Sequence, residues 1–323
     1  MLYRSALFSI ALLGCACAQA DWQPLPLNGS EPPYSPGVLI AYDTTRSVLV
    51  ARVGWANGAD QGTWEWDGTI WRQIEVPSAP WGVAMTFDAV RNRTLLIERG
   101  IPEPHPNGPF PQRLWEWDGR TWTQVSDLRA ITNGPPPRDY FAFGFDPVSG
   151  EAILHGGQAT DSPYARLYDT WTWNGSRWLL RTPNSGLPDF LFEGHQHIVT
   201  DPLRNRLIMS GGRGAIPPSS AWTWDGTRWH GIGNTRGGAF YPNAGFAFDP
   251  IRDRGVNFGG GPTGSGCNQY TMEFDGERWI LRNPVHSPPP RVLISLWFDF
   301  VHLRVLAIGG FCGSAPNGDM VIW

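Results

Sequence analysis

One phrase recurs along this chain. It stands intact five times: Trp64-Glu65-Trp66-Asp67-Gly68 closed by Trp71, Trp115-Glu116-Trp117-Asp118-Gly119 closed by Trp122, Trp171-Thr172-Trp173-Asn174-Gly175 closed by Trp178, Trp222-Thr223-Trp224-Asp225-Gly226 closed by Trp229, and Met272-Glu273-Phe274-Asp275-Gly276 closed by Trp279. A sixth copy opens at Val321-Ile322-Trp323, where the chain stops, and its missing last strand is assigned to Asp21-Trp22-Gln23. The central aromatics are spaced 51, 56, 51, 50 and 49 residues apart. A repeat of about 50 residues means a stacked or circular array. A copy shared between the two ends predicts that the array closes into a ring.

Each unit carries four strand signals. The first ends in an aspartate, at Asp43, Asp88, Asp146, Asp201, Asp249 and Asp299. A short turn follows, often Pro then Arg, built from residues that favour turns through side-chain bonding and a fixed φ. The second strand is apolar and ends in a glycine pair: Gly156-Gly157, Gly211-Gly212, Gly259-Gly260 and Gly309-Gly310, reduced to Val53-Gly54 and Arg99-Gly100 in the first two units. After a variable loop come the Trp-x-Trp strand, an Asp-Gly or Asn-Gly hairpin of type I′ with φ > 0 at both central residues, and the strand that carries the last Trp. This pattern predicts an all-β chain, a six-bladed β-propeller of four-stranded antiparallel blades over residues 21–323. The N-terminal strand pairs into the last blade, which leaves no open edge.

Residues 1–20 are set apart. Arg4, the apolar stretch from Ser5 to Gly14 and the small residues Ala18-Gln19-Ala20 read as a secretory signal peptide. The apolar stretch is shorter than the ~20 residues a membrane span needs. A second reading takes Leu12-Leu13-Gly14-Cys15 as a lipoprotein cleavage box with a lipid anchor at Cys15. Cutting after Ala20 leaves an even pair, Cys267 and Cys312, in an oxidising compartment; cutting before Cys15 leaves Cys17 as an odd thiol. The expected location is therefore secreted or periplasmic, with a lipid-anchored extracytoplasmic alternative.

All 25 basic residues are arginine, so chemistry that needs a lysine base or Schiff base is excluded. They are scattered rather than clustered, and nucleic acid is not an expected partner. The abundant Gly and Pro, set among period-2 apolar segments, suit short strands and tight turns rather than disorder.

The glycine pairs, the turns Asp201 to Arg204 and Asp249 to Arg252, and the downstream tryptophans together resemble the kelch repeat. The resemblance covers essentially all of residues 21–323 and is looser in the first two units. It implies a propeller of the galactose oxidase and kelch-like superfamily. It implies little about activity, since such propellers include sugar oxidases, a periplasmic sialic-acid epimerase and many pure binding modules.

Fifteen of the 18 tryptophans lie in the phrase. Trp64 and Trp66 are two apart and share one strand face, which the next blade must cover. Burying one Trp removes on the order of 200 Å² from water, roughly 5 kcal/mol gross at ~25 cal/mol/Å². That bulk suits an inter-blade wedge, and Trp173→Ala is expected to cost about 3–5 kcal/mol. Trp55, Trp81 and Trp297 break the pattern. Trp55 and Trp81 fall on loops, where loop packing and ligand contact are the alternatives.

Strand direction sorts the connections. The Asp-x-x-Arg turn and the Asp-Gly turn share one face of the disc and are short. The loop after the glycine pair and the loop between blades share the other face and vary in length, as variable binding loops on a rigid scaffold do. Cys267 and Cys312 fall in such loops of neighbouring blades, so a disulfide is expected rather than a metal site, because two cysteines alone do not satisfy zinc. Aligning the first strands exposes outliers near this loop face: Glu193, His195 and His197 alternate along blade four, with Arg138, Tyr140, Tyr241 and Arg291 around the same rim. The histidines could act as general acid or base or bind copper or zinc; the arginines could grip a carboxylate. Structural hydrogen bonding is the competing role for both, since Pro-Pro-Arg (Pro136-Pro137-Arg138, Pro289-Pro290-Arg291) itself recurs. His155, beside a glycine pair, reads as structural.

Motif inspection finds no nucleophile elbow, Walker loop or zincin helix, and no cofactor is expected. The leading expectation is a monomeric, non-catalytic binding module that takes a protein or glycan on its loop face. The alternatives are a carbohydrate-active enzyme (epimerase, lyase or oxidase) working at the channel mouth around Glu193, His195 and His197, or a structural surface protein.

Overall fold

All regular structure in the computed structural model is β among the residues it describes: 21–26, 32, 38–53, 62–76, 79–99, 112–128, 133–160, 165–182, 196–211, 221–232, 243–261, 266–313, 315–316 and 319–323. Six four-stranded antiparallel blades form a ring, and no helix long and apolar enough to cross a membrane occurs among these residues. The inner strands are Leu39–Asp43, Gly82–Asp88, Ala142–Asp146, Gln196–Asp201, Ala244–Asp249 and Val292–Asp299, each ending on the repeat aspartate. All six aspartates are buried. In blade one Asp43 accepts the backbone N–H groups of Thr45 (2.9 Å) and Arg46 (3.0 Å), and its second oxygen takes Arg46 Nε at 2.7 Å. The other blades repeat the backbone pattern, with Arg91, Ser149, Arg204 or His302 as the side-chain donor at the Arg46 position in four of them. The aspartate therefore supplies acceptors for a turn that the strand ladder cannot satisfy.

The chain ends meet as expected. Gln23 and Pro24 pair opposite Ile322 and Val321, and Leu25 N–H donates to Met320 O at 2.9 Å. Trp22 stacks on Trp323 with ring centroids 5.2 Å apart, matching the pair Trp66–Trp71 (5.5 Å) within blade one. Asp21 accepts from the backbone N–H of His286 at 2.7 Å, tying the start of the described chain to the blade five–six connection.

Two details differ from the sequence reading. The hairpin after each phrase is not a two-residue type I′ turn. Trp66 pairs with Trp71 across four intervening residues, and of the Asp-Gly pair only Gly68 has positive φ (100°). Asp67 instead bonds the backbone N–H groups of Thr69 and Ile70, each at 2.9 Å, so its side chain rather than its φ makes the turn. Those bonds, with the Thr69 hydroxyl and Arg72, hold the Asp67 carboxyl well below the usual carboxylate range against the opposing effect of partial burial.

The phrase tryptophans also face the preceding blade, not the next one. Trp66 and Trp71 of blade one pack with Trp297, Leu306, Ile308 and Met320 of blade six, and Trp117 and Trp122 of blade two pack with Val50 of blade one. The buried apolar side chains form a cluster at every blade junction. Three of the fourth-strand indoles add a polar latch across their junctions. Trp122 Nε1 donates to Thr63 (2.9 Å), Trp229 Nε1 to Thr170 (3.2 Å) and Trp22 Nε1 to Thr271 (2.8 Å), each threonine opening the third strand of the blade before. Two tryptophans of the third strands also reach the blade before: Trp117 Nε1 donates to Glu65 at 3.1 Å and Trp323 Nε1 to Glu273 at 3.0 Å.

Candidate functional site

The two faces of the disc differ in how their connections are held. On the loop face, blades three and six carry matching clamps. Arg138 is fully buried, with Nη1 2.5 Å from Asp169 Oδ1 and Nη2 3.0 Å from Oδ2, while it also donates to Pro136 O (3.0 Å) and Gly156 O (3.0 Å). Arg291 repeats each contact with Asp319 (2.6 and 3.1 Å), Pro289 O (3.1 Å) and Gly309 O (3.2 Å). Both guanidinium groups, candidates for gripping a ligand carboxylate, are thus spent on the chain's own loops. Burial raises the cost of ionising Asp169, yet the hydrogen bonds and charge of Arg138, with Trp171 Nε1 at 2.6 Å, hold its carboxyl below the usual range. The glycine pair completes the clamp: at Gly157 (φ 103°) a Cβ would stand 2.7 Å from Asp139 O. In blade one, buried Arg52 donates to Pro80 O through Nε (3.1 Å) and Nη2 (2.8 Å), bracing the approach to blade two.

The expected disulfide is present. Cys267 and Cys312 are bonded with Cα atoms 5.8 Å apart and tie the blade five loop to blade six. Cys312 ends the strand Arg304–Cys312 rather than lying in a loop. His155 is structural: it is buried, its Nδ1 lies 2.9 Å from Thr170 Oγ1, and Trp229 packs on its ring at 5.2 Å. Burial pushes it down to about 3, with Asp169 opposing and Arg138 adding to the effect.

Of the remaining sequence candidates, Tyr140 is on the loop face. It is 52% exposed and sits on left-handed backbone (φ 58°) two residues beyond the Arg138 clamp. Asn243 and Leu293, at the same position of blades five and six, share that backbone (φ 65° and 53°). A non-glycine residue at positive φ is costly and persists where surrounding structure enforces it. Trp81 is half-buried just before the inner strand of blade two. His197 is half-buried in the inner strand of blade four, opposite Ser210. Glu193, His195, Tyr241 and Trp55 lie outside the described residues, so the proposed histidine pair is not brought together here. No group of three or more His, Cys, Asp or Glu side chains forms a metal cluster among the described residues.

Sequence reasoning directed attention away from the turn face, yet a cavity opens there on the axis. It has a volume of about 270 Å³ and is lined by inner-strand and turn residues of the blades. Its position follows from ring closure, which brings the aspartate ends of the inner strands around one axis.

No protein-family model and no curated protein sequence matches the chain. Solved structures with the same fold do. A structure of YjhT superposes with a TM-score of 0.64 at 10% identity, covering 91% of this chain and 95% of that one. The α-L-arabinofuranosidase Arb93A of Fusarium graminearum, in complex with an iminosugar inhibitor, gives 0.59 at 13% identity over 94% of this chain and 98% of that one. A copper-containing fungal alcohol oxidase gives 0.52 at 13% identity over 89% of this chain, which spans 61% of the oxidase. These likenesses are to the propeller fold.

Proposed function

We propose that this chain is a secreted, kelch-type propeller that works as a non-catalytic binding module, taking a protein or glycan on its loop face. The observation that carries the reading is Tyr140: an exposed aromatic on enforced backbone, rooted next to the fully buried Arg138–Asp169 clamp. Rigid aromatics cost little conformational entropy on binding and dominate interface energetics. The Arg291–Asp319 clamp and the Cys267–Cys312 disulfide support the same face by fixing loop roots before a ligand arrives. The disulfide also suits an oxidising compartment.

A glycan array and a panel of extracellular proteins, each run with wild type, Tyr140→Ala and the turn-face variant Val90→Asp, test the proposal. Binding without turnover that is lost in Tyr140→Ala and kept in Val90→Asp is expected. Turnover of a bound glycan that disappears in His197→Ala would replace this reading with the enzymatic one.

A further inference from the structure

The turn-face cavity lies apart from the loop-face site, and we propose that it is a second binding site, for a small uncharged cyclic molecule of predominantly apolar surface. The residue before each repeat aspartate lines it in all six blades: Tyr42, Phe87, Phe145, Thr200, Phe248 and Phe298. Five of these are aromatic; blade four alone substitutes a small hydroxyl, with Thr200 Oγ1 donating to Phe145 O at 3.2 Å. The missing ring at Thr200 leaves space that an aromatic collar would otherwise fill. At the mouth stand Thr44, Ala89, Pro147, Pro202 and Phe300. Phe300 occupies the position after the aspartate and packs on Tyr42 (5.3 Å) and Phe298 (4.9 Å), so blade six covers part of the entrance with an aromatic ring.

Size and chemistry fix the ligand class. A volume of about 270 Å³ would hold roughly nine waters at ~30 Å³ each. The wall runs from Ile40 to Thr44 along blade one, about 13 Å at ~3.3 Å per residue, which suits a free molecule seated along the axis. The polar side chains of the lining are the hydroxyls of Tyr42, Thr44, Thr86 and Thr200, the Asn205 amide and the Trp297 indole, without a carboxylate, guanidinium or imidazole. The neighbouring aspartates are committed to their own turns, as Asp88 is to Val90 N–H (3.0 Å) and Arg91 N–H (2.9 Å). A charged ligand would lose hydration with no counter-charge, and a free sugar would leave most of its hydroxyls unpaired. A neutral ring system instead displaces loosely held water from apolar wall. The apolar surface continues outward, because the second residue after the aspartate is an exposed aliphatic in five blades: Val90, Val148, Leu203, Ile251 and Val301.

Calorimetric titration of the full folded protein with 2-naphthol at pH 7 tests this, with 2-naphthoate and glucose as comparators. The expected result is one saturable site for 2-naphthol, with naphthoate and glucose binding at least about tenfold more weakly. Thr200→Phe installs the side chain that blades two, three, five and six already accept, and Ala89→Phe copies Phe300 at the exposed mouth. Each variant should melt like wild type and weaken 2-naphthol at least about tenfold, while Tyr140→Ala leaves it unchanged. Absence of naphthol binding in wild type, equal binding of naphthoate, or undiminished binding in whichever filling variant folds overturns the proposal. None of these outcomes bears on the loop-face ligand.

Discussion

The two arginine clamps share geometry but not burial, and that difference makes a sharp test. Arg138→Met and Arg291→Met each remove one guanidinium and two backbone carbonyl contacts. Methionine refills much of the volume. What differs is the stranded carboxylate. The Asp169 side chain is only 14% exposed, whereas that of Asp319 is 44% exposed. Breaking a buried pair usually costs about 3–5 kcal/mol, and an exposed pair is worth about 0–1 kcal/mol. Adding the carbonyl bonds at about 1 kcal/mol net, we expect about 4–6 kcal/mol for Arg138→Met and about 1–2 kcal/mol for Arg291→Met. At ~2 °C per kcal/mol for a chain of this size, thermal melts at pH 7 should fall by about 8–12 °C for Arg138→Met and about 2–4 °C for Arg291→Met. Acid supplies a second arm. The Asp169 pKa is held down in the fold, so its contribution is present above the unfolded value near ~3.9 and lost as pH falls through the folded value. The gap between wild type and Arg138→Met should therefore narrow below about pH 4. Equal losses in the two variants, or a gap that widens in acid, would refute the assignment of Arg138 as a clamp.

Three further outcomes follow from the same contacts. Thr63→Val strands the Trp122 indole N–H (2.9 Å to Thr63) and should cost about 1–3 kcal/mol by denaturant titration, while Thr69→Val on the exposed hairpin should cost less. His155 is neutral in the fold, with a pKa of about 3, so wild type should lose stability as pH falls from ~6.5 toward that value, by up to on the order of 4–5 kcal/mol. His155→Phe, which copies Phe258 of blade five, should remove that slope, and an unchanged slope would contradict the burial. Trp22→Ala deletes a fully packed ring in blade six and should cost about 3–5 kcal/mol; an unchanged melt would mean that the N-terminal strand is dispensable.

Ring architecture was legible because the phrase repeats and its sixth copy is split between Trp22 and Trp323. Inner strands ending at the aspartates were legible for the same reason, since each aspartate makes its turn locally. The arginines were harder. Arg138 and Arg291 look like free cations because their partners lie 31 and 28 residues onward, across a variable loop. A signal was nonetheless present: blades three and six alone pair an arginine eight residues before the inner aspartate with an aspartate two residues before the phrase. The cavity was visible only as aromatics preceding Asp43, Asp88, Asp146, Asp249 and Asp299; that they share one axis depends on closure, which no local pattern encodes. The hairpin was misjudged because Asp-Gly serves both as a two-residue turn and, as at Asp67, as a side-chain-bonded four-residue loop.

The face assignments and the cavity all require the two ends of the described chain to pair. Gln23 and Ile322 stand directly opposite each other, so a Gln23→Cys, Ile322→Cys variant should form a second disulfide in the folded protein under mild oxidation. Closing a loop of about 300 residues should stabilise by up to about 5–6 kcal/mol, read as a raised melting temperature that reduction reverses. Thiols that stay free at 23 and 322 while Cys267–Cys312 remains oxidised would contradict the closed six-bladed ring.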